Sequence, residues 1–145
     1  MKLVIQRVSS ASVSVGGKLI SQIGKGFLIL LGVSQNDDGS QIEWLTKKVS
    51  ELRIFPDENG KMNLSVKEVG GEVLLVSQFT LYAGCRKGRR PDFNEAAPPD
   101  LAEELYMQFA VELQKIGVPT KLGVFAAHMD VKLVNDGPVT IILER

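Results

Sequence analysis

The chain has 145 residues, of which 44% are hydrophobic, and its 17 lysine and arginine residues balance 17 aspartate and glutamate residues. This length suits one globular domain with a sizeable core, and the zero net charge provides no overall field for nucleic acid, so any RNA contact requires a local basic patch. One cysteine and one histidine exclude an internal disulfide framework and a zinc cluster of Cys and His ligands, which suits a reducing cytoplasm.

The first part of the chain predicts a hairpin, a central strand and a helix. Residues 2–15 alternate apolar and polar side chains before a Gly-Gly turn and a return strand at 18–23. Residues 27–33 are continuously apolar, as expected for a strand covered on both faces, and this run is too short to span a membrane. We therefore expect a soluble cytoplasmic protein. A Ser-x-x-Glu capping pattern at Ser40 then predicts an amphipathic helix near 40–53.

The second part predicts more strands, a polar loop and a second helix. Residues 72–81 predict a buried strand, and residues 83–99, rich in Gly, Pro and charge, predict a long loop of the kind that often carries function. A capping pattern at Asp100 begins a helix that ends before Gly117. Three strands are expected near 120–125, 128–134 and 139–143. We therefore predict an α+β (mixed α/β) single domain in which two main helices cover a curved, largely antiparallel, barrel-like sheet.

Two polar segments at the ends of apolar strands are candidates for chemistry. The Asp-Gly-Pro sequence within 135–140 predicts a tight turn, since Gly reaches positive φ and Pro fixes φ, and such a turn exposes rigid carbonyl oxygens. The backbone amides at 78–80 are candidates for polarising a carbonyl group, although on this observation alone the favoured interpretation is that they are ordinary sheet donors. A nucleophilic Thr80 needs a nearby base, and the one imidazole, His128, is typical of a surface or structural residue.

A basic cluster lies in the polar loop. Residues 86–90 place four cations in five positions, enough to contact several phosphates if a pocket adjoins them. Such a cluster is also typical of a solvated loop. Cys85 adjoins these cations, which favours a reactive thiol, but the sequence offers it no base partner.

Taken together, these segments resemble the D-aminoacyl-tRNA deacylase family along the whole chain. The resemblance rests on Ser-Gln-Phe-Thr-Leu at 77–81, Arg-Lys-Gly-Arg-Arg-Pro at 86–91 and Asn-Asp-Gly-Pro-Val-Thr at 135–140, in the order and at the spacing of the family. It implies a homodimer that hydrolyses the ester joining a D-amino acid to the terminal adenosine of tRNA. We expect no metal, no cofactor, no membrane contact and no DNA partner.

The resemblance also implies roles for individual residues. Gly137 and Pro138 would form a Gly-cisPro element that reaches into the partner subunit's pocket and leaves no room for an L side chain, and Arg7 would hold this element. Glycine has no side chain to exclude and would be accepted too. The residues implied for the catalytic floor are Ser77, Gln78, Phe79 and Thr80. Those implied to bind tRNA are Met129, at the terminal adenosine, and Arg86, Lys87, Arg89 and Arg90.

Several alternatives remain open at the level of the sequence. Attack by water, assisted by the neighbouring ribose hydroxyl, is favoured over attack by Thr80, because no base adjacent to Thr80 can be named. The chain departs from the family pattern at Gly84, often Asp, and at residues 126–128, Ala-Ala-His in place of the common Gly-Ala-Asp. Two rival functions are a non-catalytic RNA-binding module and a small-molecule esterase that uses Thr80 or Cys85. Hydrolysis of D-aminoacyl-tRNA would distinguish the deacylase from the RNA-binding module. A requirement for adenosine in the substrate would distinguish it from the small-molecule esterase.

Overall fold

A computed structural model describes residues 1–86 and 88–145 and shows a six-stranded mixed sheet, two α-helices and a small two-stranded sheet in that part of the chain. The strands are β1 (Lys2–Val15), β2 (Lys18–Ile23), β3 (Gly26–Gly32), β4 (Phe55–Pro56), β5 (Met62–Leu64), β6 (Glu72–Ser77), β7 (Thr120–Leu122) and β8 (Asp130–Glu144). The helices are α1 (Ile42–Glu51) and α2 (Pro99–Lys115), and a 3-10 helix covers Phe79–Tyr82. Neither described α-helix has the length and hydropathy to cross a bilayer.

Strand β1 organises the sheet. On one edge its first half pairs with β3 and its second half with β2, while β8 runs along the other edge, and all three pairings are antiparallel. Strands β6 and β7 extend the sheet beyond β3 as parallel neighbours. The sheet curls until β2 approaches β7, where Ser21 Oγ donates to the Leu122 carbonyl at 2.5 Å and Lys121 Nζ donates to the Gln22 carbonyl at 2.7 Å. This architecture confirms the predicted barrel-like α+β fold.

Each face of the sheet buries its own apolar cluster. Side chains on neighbouring positions of a strand point to opposite faces. Phe27 therefore faces the two helices, where Phe109 of α2 is also fully buried, whereas Leu28 packs on the other face with Leu74 and Val76. The continuously apolar sequence of β3 is explained by this two-sided burial, and its central position was correctly predicted.

Both helices begin differently from the predicted capping boxes. The N-cap of α1 is Gln41, so Ser40 lies one residue before it, and no side chain caps this helix. The Ser40 amide donates to Asp38 Oδ1 at 3.0 Å. Helix α2 begins at Pro99, a first-turn position where the missing N–H of proline is not needed, so Asp100 lies inside the first turn. The capping roles predicted for Ser40 and Asp100 are therefore wrong.

Two predicted strand boundaries are also wrong. Strand β6 ends at Ser77, and the chain continues as the 3-10 helix rather than as a strand to residue 81. The strands predicted at 128–134 and 139–143 are one continuous strand, β8, without a tight turn between them. Because β1 offers an antiparallel partner on both sides of the Asp-Gly-Pro sequence, the chain bulges and continues instead of reversing.

The packing of α2 on the sheet can be tested by truncating its buried side. Leu113 is fully buried, so Leu113→Ala should lower the free energy of unfolding by about 2–5 kcal/mol, through lost apolar contacts and the cavity left behind. Val111 lies on the exposed side of the same helix, and Val111→Ala should change stability by less than about 0.5 kcal/mol. Urea unfolding followed by circular dichroism measures both variants. Equal losses would contradict the packing.

Candidate active site

The candidate site lies where parallel strands end together. Strands β3, β6 and β7 run in the same direction, so their carboxyl ends meet at one edge of the sheet, where open α/β sheets commonly bind ligands. A cavity of about 600 Å³ opens there, beside the N-terminus of α2. Its lining is mainly apolar and consists of Leu31, Val33, Ser77, Gln78, Phe79, Phe93, Ala96, Ala97, Pro98, Pro99, Ala102, Phe125, Ala126 and Ala127.

The 3-10 helix offers two backbone amides, one at Phe79, which lines this cavity, and one at Thr80, the next residue, which is not among the described lining residues. The Gln78 amide donates to the Leu31 carbonyl at 2.8 Å, so it belongs to the sheet and is not available to a substrate. The amides of Phe79 and Thr80 lie in the first turn of the helix and donate to no acceptor in the described part of the chain. Two adjacent N–H donors at an apolar cavity can stabilise an oxyanion. The sequence suggested three such amides, and the structure leaves two.

The Thr80 hydroxyl lies at the exposed end of this group without a base. Its Oγ1 accepts a hydrogen bond from the side-chain amide of Gln78. Within the described residues, no carboxylate or imidazole hydrogen-bonds to this hydroxyl, and His128 is exposed. The same residues contain no group of three or more His, Cys, Asp or Glu side chains placed to hold a metal ion. The polar groups that converge on the cavity are therefore mainly backbone groups.

Aromatic rings form one side of the cavity. Phe79 and Phe93 stack edge to face, with ring centroids 4.9 Å apart and an interplanar angle of 65°. Both rings are partly exposed, at 54% and 39%, which is unusual for phenylalanine unless a ligand or partner covers it. Phe93 and Phe125 were not identified from the sequence, because an isolated aromatic residue in a loop gives no local pattern.

A short segment after β7 closes the opposite part of the lining. Gly123 donates its amide to the Leu75 carbonyl at 2.9 Å, and the buried Tyr106 hydroxyl donates to the same oxygen at 2.9 Å. Burial raises the pKa of Tyr106, so this hydroxyl remains a donor at neutral pH. Met129 Sδ accepts from the Val124 amide at 3.4 Å, and Met129 is not among the described lining residues. It lies behind this wall of the cavity.

The basic loop is closed at its base by a pair of backbone hydrogen bonds. The amide of Gly84 donates to the carbonyl of Asp92 at 2.8 Å, and the reverse bond measures 3.1 Å. A Cβ atom at Gly84 would lie 2.5 Å from Asp92 Oδ2, so glycine leaves room for that carboxylate. The side chains of Arg86, Arg89 and Arg90 are exposed, as is that of Cys85. Lys87 lies outside the described residues.

The Asp-Gly-Pro segment forms a four-residue bulge in β8. Gln6 pairs with Thr140 and Val8 with Asn135, so residues 136–139 lie opposite one residue of β1, Arg7. The peptide bond between Gly137 and Pro138 is cis, as the resemblance implied, and both residues are exposed in the single chain.

Two side chains hold this bulge. Arg7 is 7% exposed, and its Nε donates to the Asp136 carbonyl at 2.8 Å and lies 3.3 Å from Asp136 Oδ2. Its guanidinium group also donates to the carbonyl of Ile54. Asn135 Oδ1 accepts from the Val139 amide at 2.8 Å, and its Nδ2 donates to the Val139 carbonyl at 3.2 Å. Asparagine commonly bonds to nearby backbone in this way, but the sequence around Asn135 carries no pattern that assigned it this role.

A single chain does not bring the bulge to the cavity. The bulge faces Arg7, which is paired with Phe27 of β3, and Phe27 is paired with Val73 of β6. Ser77 lies four positions farther along β6. Standard strand geometry therefore separates the bulge from Ser77 by about 13 Å along the strands and about 14 Å across them. Neither Gly137 nor Pro138 is among the described residues of the cavity lining.

Known proteins are similar to this chain in sequence and in fold. The family model described as D-Tyr-tRNA(Tyr) deacylase matches residues 4–144. A protein of Desulfatibacillum aliphaticivorans named D-aminoacyl-tRNA deacylase is 58% identical over 144 residues, which cover 99% of both chains. A protein of the same name from Thermomicrobium roseum is 60% identical over 144 residues, which cover 99% of this chain and 94% of the relative.

A solved structure agrees with the sequence relatives. The structure named c-Myc DNA Unwinding Element Binding Protein superposes with a TM-score of 0.94 at 47% sequence identity, covering 100% of this chain and 99% of the other. The family model and the sequence relatives each span almost the entire chain, including the 3-10 helix and the bulge of β8. The protein therefore belongs to the D-Tyr-tRNA(Tyr) deacylase family.

Proposed function

We propose that this protein hydrolyses the ester bond between a D-amino acid and the terminal adenosine of tRNA, and so removes wrongly charged amino acids before translation uses them. The observation that carries the proposal is a pair of available backbone amides, one at Phe79, which lines a cavity with aromatic walls, and one at the adjacent Thr80. The full-length relatives named D-aminoacyl-tRNA deacylase support the same substrate class. As an enzyme that acts on tRNA, the protein would work in the cytoplasm.

The terminal adenosine is the part of the substrate that suits the cavity. Unpaired bases are commonly bound by stacking on aromatic side chains, and Phe79 and Phe93 provide two exposed rings. The cavity of about 600 Å³ is within the range that encloses small-molecule ligands. With the base in this cavity, the ester lies toward the 3-10 helix. Met129, behind the wall, would act on the adenosine by supporting the Gly123–Val124 backbone.

Hydrolysis is proposed to use water rather than an enzyme nucleophile. The amides of Phe79 and Thr80 hold the carbonyl oxygen as it becomes negative. Water attacks the carbonyl carbon, and the neighbouring ribose hydroxyl accepts a proton from that water while it passes its own proton to the ribose ester oxygen. The bond between the carbonyl carbon and that oxygen then breaks, which releases the free amino acid and tRNA. Ser77 and Gln78 position the two amides. The Gln78 backbone amide anchors this segment to β3, and the Gln78 side chain donates to the Thr80 hydroxyl.

Selection of the D configuration is proposed to depend on backbone shape. An enzyme that accepts many side chains cannot bind any of them tightly, so it must test the direction of the Cα substituents. The Gly137–Pro138 element, held by Arg7 and Asn135, would accept the substrate ammonium with its carbonyl oxygens and occupy the side where an L side chain would point. Glycine, which has no side chain, would then be hydrolysed as well.

This arrangement requires a second copy of the chain, because the bulge and the cavity of one chain lie far apart. An apolar row offers a surface for that copy. Leu30 pairs with Val4, and Val4 with Ile142, so the three side chains lie side by side on one face of β3, β1 and β8. Ile142 is 65% exposed in the single chain. We propose a homodimer in which each protomer lends its bulge to the cavity of its partner.

The tRNA backbone is proposed to lie along the basic loop. Arg86, Arg89 and Arg90 have exposed side chains, and Lys87 adds a fourth cation in the sequence. Contacts with phosphates contribute affinity without reading the base sequence. The solved relative at 47% identity is named for DNA binding, whereas the full-length sequence relatives at 58% and 60% identity are named for an aminoacyl-tRNA substrate. We therefore propose tRNA as the nucleic-acid partner.

The function is tested by measuring the rates at which D- and L-aminoacyl-tRNA are cleaved by the wild-type protein and by a variant whose bulge is altered. The wild-type protein should cleave the D form at least about a hundredfold faster, since a steric overlap of roughly 3 kcal/mol gives that ratio. In Gly137→Ala the new Cβ would lie 2.5 Å from the Val139 nitrogen, so the bulge must move, and the ratio should fall at least about tenfold.

Gly24→Ala is the matched control, because a Cβ at Gly24 meets open space. Release of free amino acid measures all three proteins, and glycyl-tRNA should also be cleaved. Equal cleavage of the mirror-image substrates, or no cleavage of either, would contradict the proposed function. Excess duplex DNA should not inhibit the reaction.

A second experiment separates water attack from a covalent mechanism. Thr80→Ala removes the hydroxyl but keeps the backbone amide, so kcat should stay within about tenfold of wild type, because only positioning is affected. Thr80→Ser keeps the hydroxyl and serves as the control. Single-turnover hydrolysis of a D-aminoacyl-tRNA gives the rate. A loss of several thousandfold in Thr80→Ala, with recovery in Thr80→Ser, would instead establish Thr80 as the nucleophile.

The proposal that two chains share each site is tested by placing a charge in the apolar row of Leu30, Val4 and Ile142. Ile142→Asp places a charge where the partner would pack, so light scattering should report a monomer, and deacylation should fall at least about a hundredfold. Val111→Asp introduces the same charge on the exposed face of α2 and should leave both the mass and the rate unchanged. A fully active monomer of Ile142→Asp would show that the bulge is not lent by a partner.

A further inference from the structure

One wall of the cavity contains a turn with a residue in an unfavourable conformation. The Ala127 amide donates to the Val124 carbonyl at 3.2 Å and closes a turn over residues 124–127. Ala126, the third residue of this turn, has φ of +58° and is the one non-glycine residue with positive φ in the described part of the chain. At the third position of turns with positive φ, glycine or asparagine is the usual residue, because a Cβ crowds the backbone there.

The surroundings of the turn impose this conformation. The Gly123 amide is fixed by the Leu75 carbonyl, and Tyr106 donates to the same oxygen. A Cβ at Gly123 would lie 2.8 Å from Met129 Sδ, so the backbone before the turn is pressed against that side chain. On the other side, the Phe125 ring lies 6.0 Å from the Tyr106 ring. Backbone strain persists where neighbouring contacts determine the chain path, and it is found most often at functional sites.

Alanine gives this turn one group that glycine would not, a methyl on a residue that lines the cavity. Glycine would relieve the crowding, but it would also lose more conformational freedom on folding, so the two effects on stability partly cancel. Stability therefore gives little reason for alanine at this position. Ala126 is an exposed residue of the lining, whereas Ala127 next to it is half-buried. The Ala126 methyl is thus the more accessible of the two to a ligand.

We propose that Ala126 is a specificity-determining residue, whose methyl group contacts the terminal purine nucleoside and sets the width of the subsite that receives it. The identity of this ligand rests on the proposed function. The aromatic pair of Phe79 and Phe93 provides one apolar surface for a planar base, and the Ala126 methyl provides another on the same cavity. A base held between apolar surfaces is bound without any reading of the attached amino acid.

The test uses AMP, which carries the terminal nucleotide without an amino acid, and the variants Ala126→Gly and Ala127→Gly. Loss of one methyl contact in an apolar pocket costs on the order of tenfold. Ala126→Gly should therefore weaken AMP binding, measured by calorimetry, by about tenfold. It should raise KM for D-aminoacyl-tRNA by a similar factor and change kcat by less than about twofold, because the lost contact is the same in the ground state and the transition state. Its thermal unfolding temperature should not fall.

Ala127→Gly is the comparison that separates a contact from a loosened turn. It removes the same group at a residue without positive φ, where glycine adds flexibility, and should weaken AMP binding by about threefold or less. An equal or larger loss in Ala127→Gly would overturn the proposal in favour of a loosened turn. Unchanged AMP binding by Ala126→Gly would overturn it as well, even if the wild-type protein deacylates tRNA. If AMP binding behaves as expected but D-aminoacyl-tRNA is not hydrolysed, the proposed function fails and the nucleoside subsite stands.

Discussion

The hydrogen bond from the amide of Gln78, the residue after β6, to the Leu31 carbonyl of β3 measures 2.8 Å, and within the described residues it is the last backbone bond along this pair of strands. It fixes the point at which the sheet stops using its own amides. The next two amides, of Phe79 and Thr80, follow a change to 3-10 geometry that points them away from a strand partner. Because β3, β6 and β7 all end at this edge, the chain that follows each strand contributes to the same cavity. The chemistry proposed for this cavity depends on that one boundary.

A second constraint explains why the proposed site needs two chains. The bulge of β8 is held firmly by Arg7 and Asn135, yet three strand spacings and four strand positions separate it from Ser77. In the proposed assembly this rigid element serves the cavity of a partner chain. The exposed Ile142 beside Val4 provides the apolar surface that such an association would bury. In this view, the separation of bulge and cavity and the apolar row are two consequences of one assembly.

The sequence predicted the elements whose patterns are local and missed the boundaries that distant contacts decide. Alternation in β1 and the apolar run of β3 identified the sheet correctly. The Asp136–Gly137 pair is typical of a tight turn, but β1 pairs on both sides of it and turns it into a bulge. Ser40 is not the cap, because α1 begins one residue later than predicted, with Gln41 as its N-cap. Phe93 and Phe125 reach the cavity only through tertiary structure, since nothing in their spacing links them to Phe79.

The proposed activity places an unusual demand on a protein site, because the substrate side chain varies while the backbone of the amino acid does not. Side chains of the enzyme are suited to recognising side chains, whereas rigid peptide groups are suited to recognising the direction of bonds at Cα. Such a site is specified less by acids, bases and nucleophiles than by residues that hold the backbone in place. Arg7, Asn135 and Tyr106 have this role in the structure, each through hydrogen bonds to carbonyl or amide groups. The described residues accordingly place no base within hydrogen-bonding distance of the Thr80 hydroxyl, and the proposed site consists mainly of backbone groups.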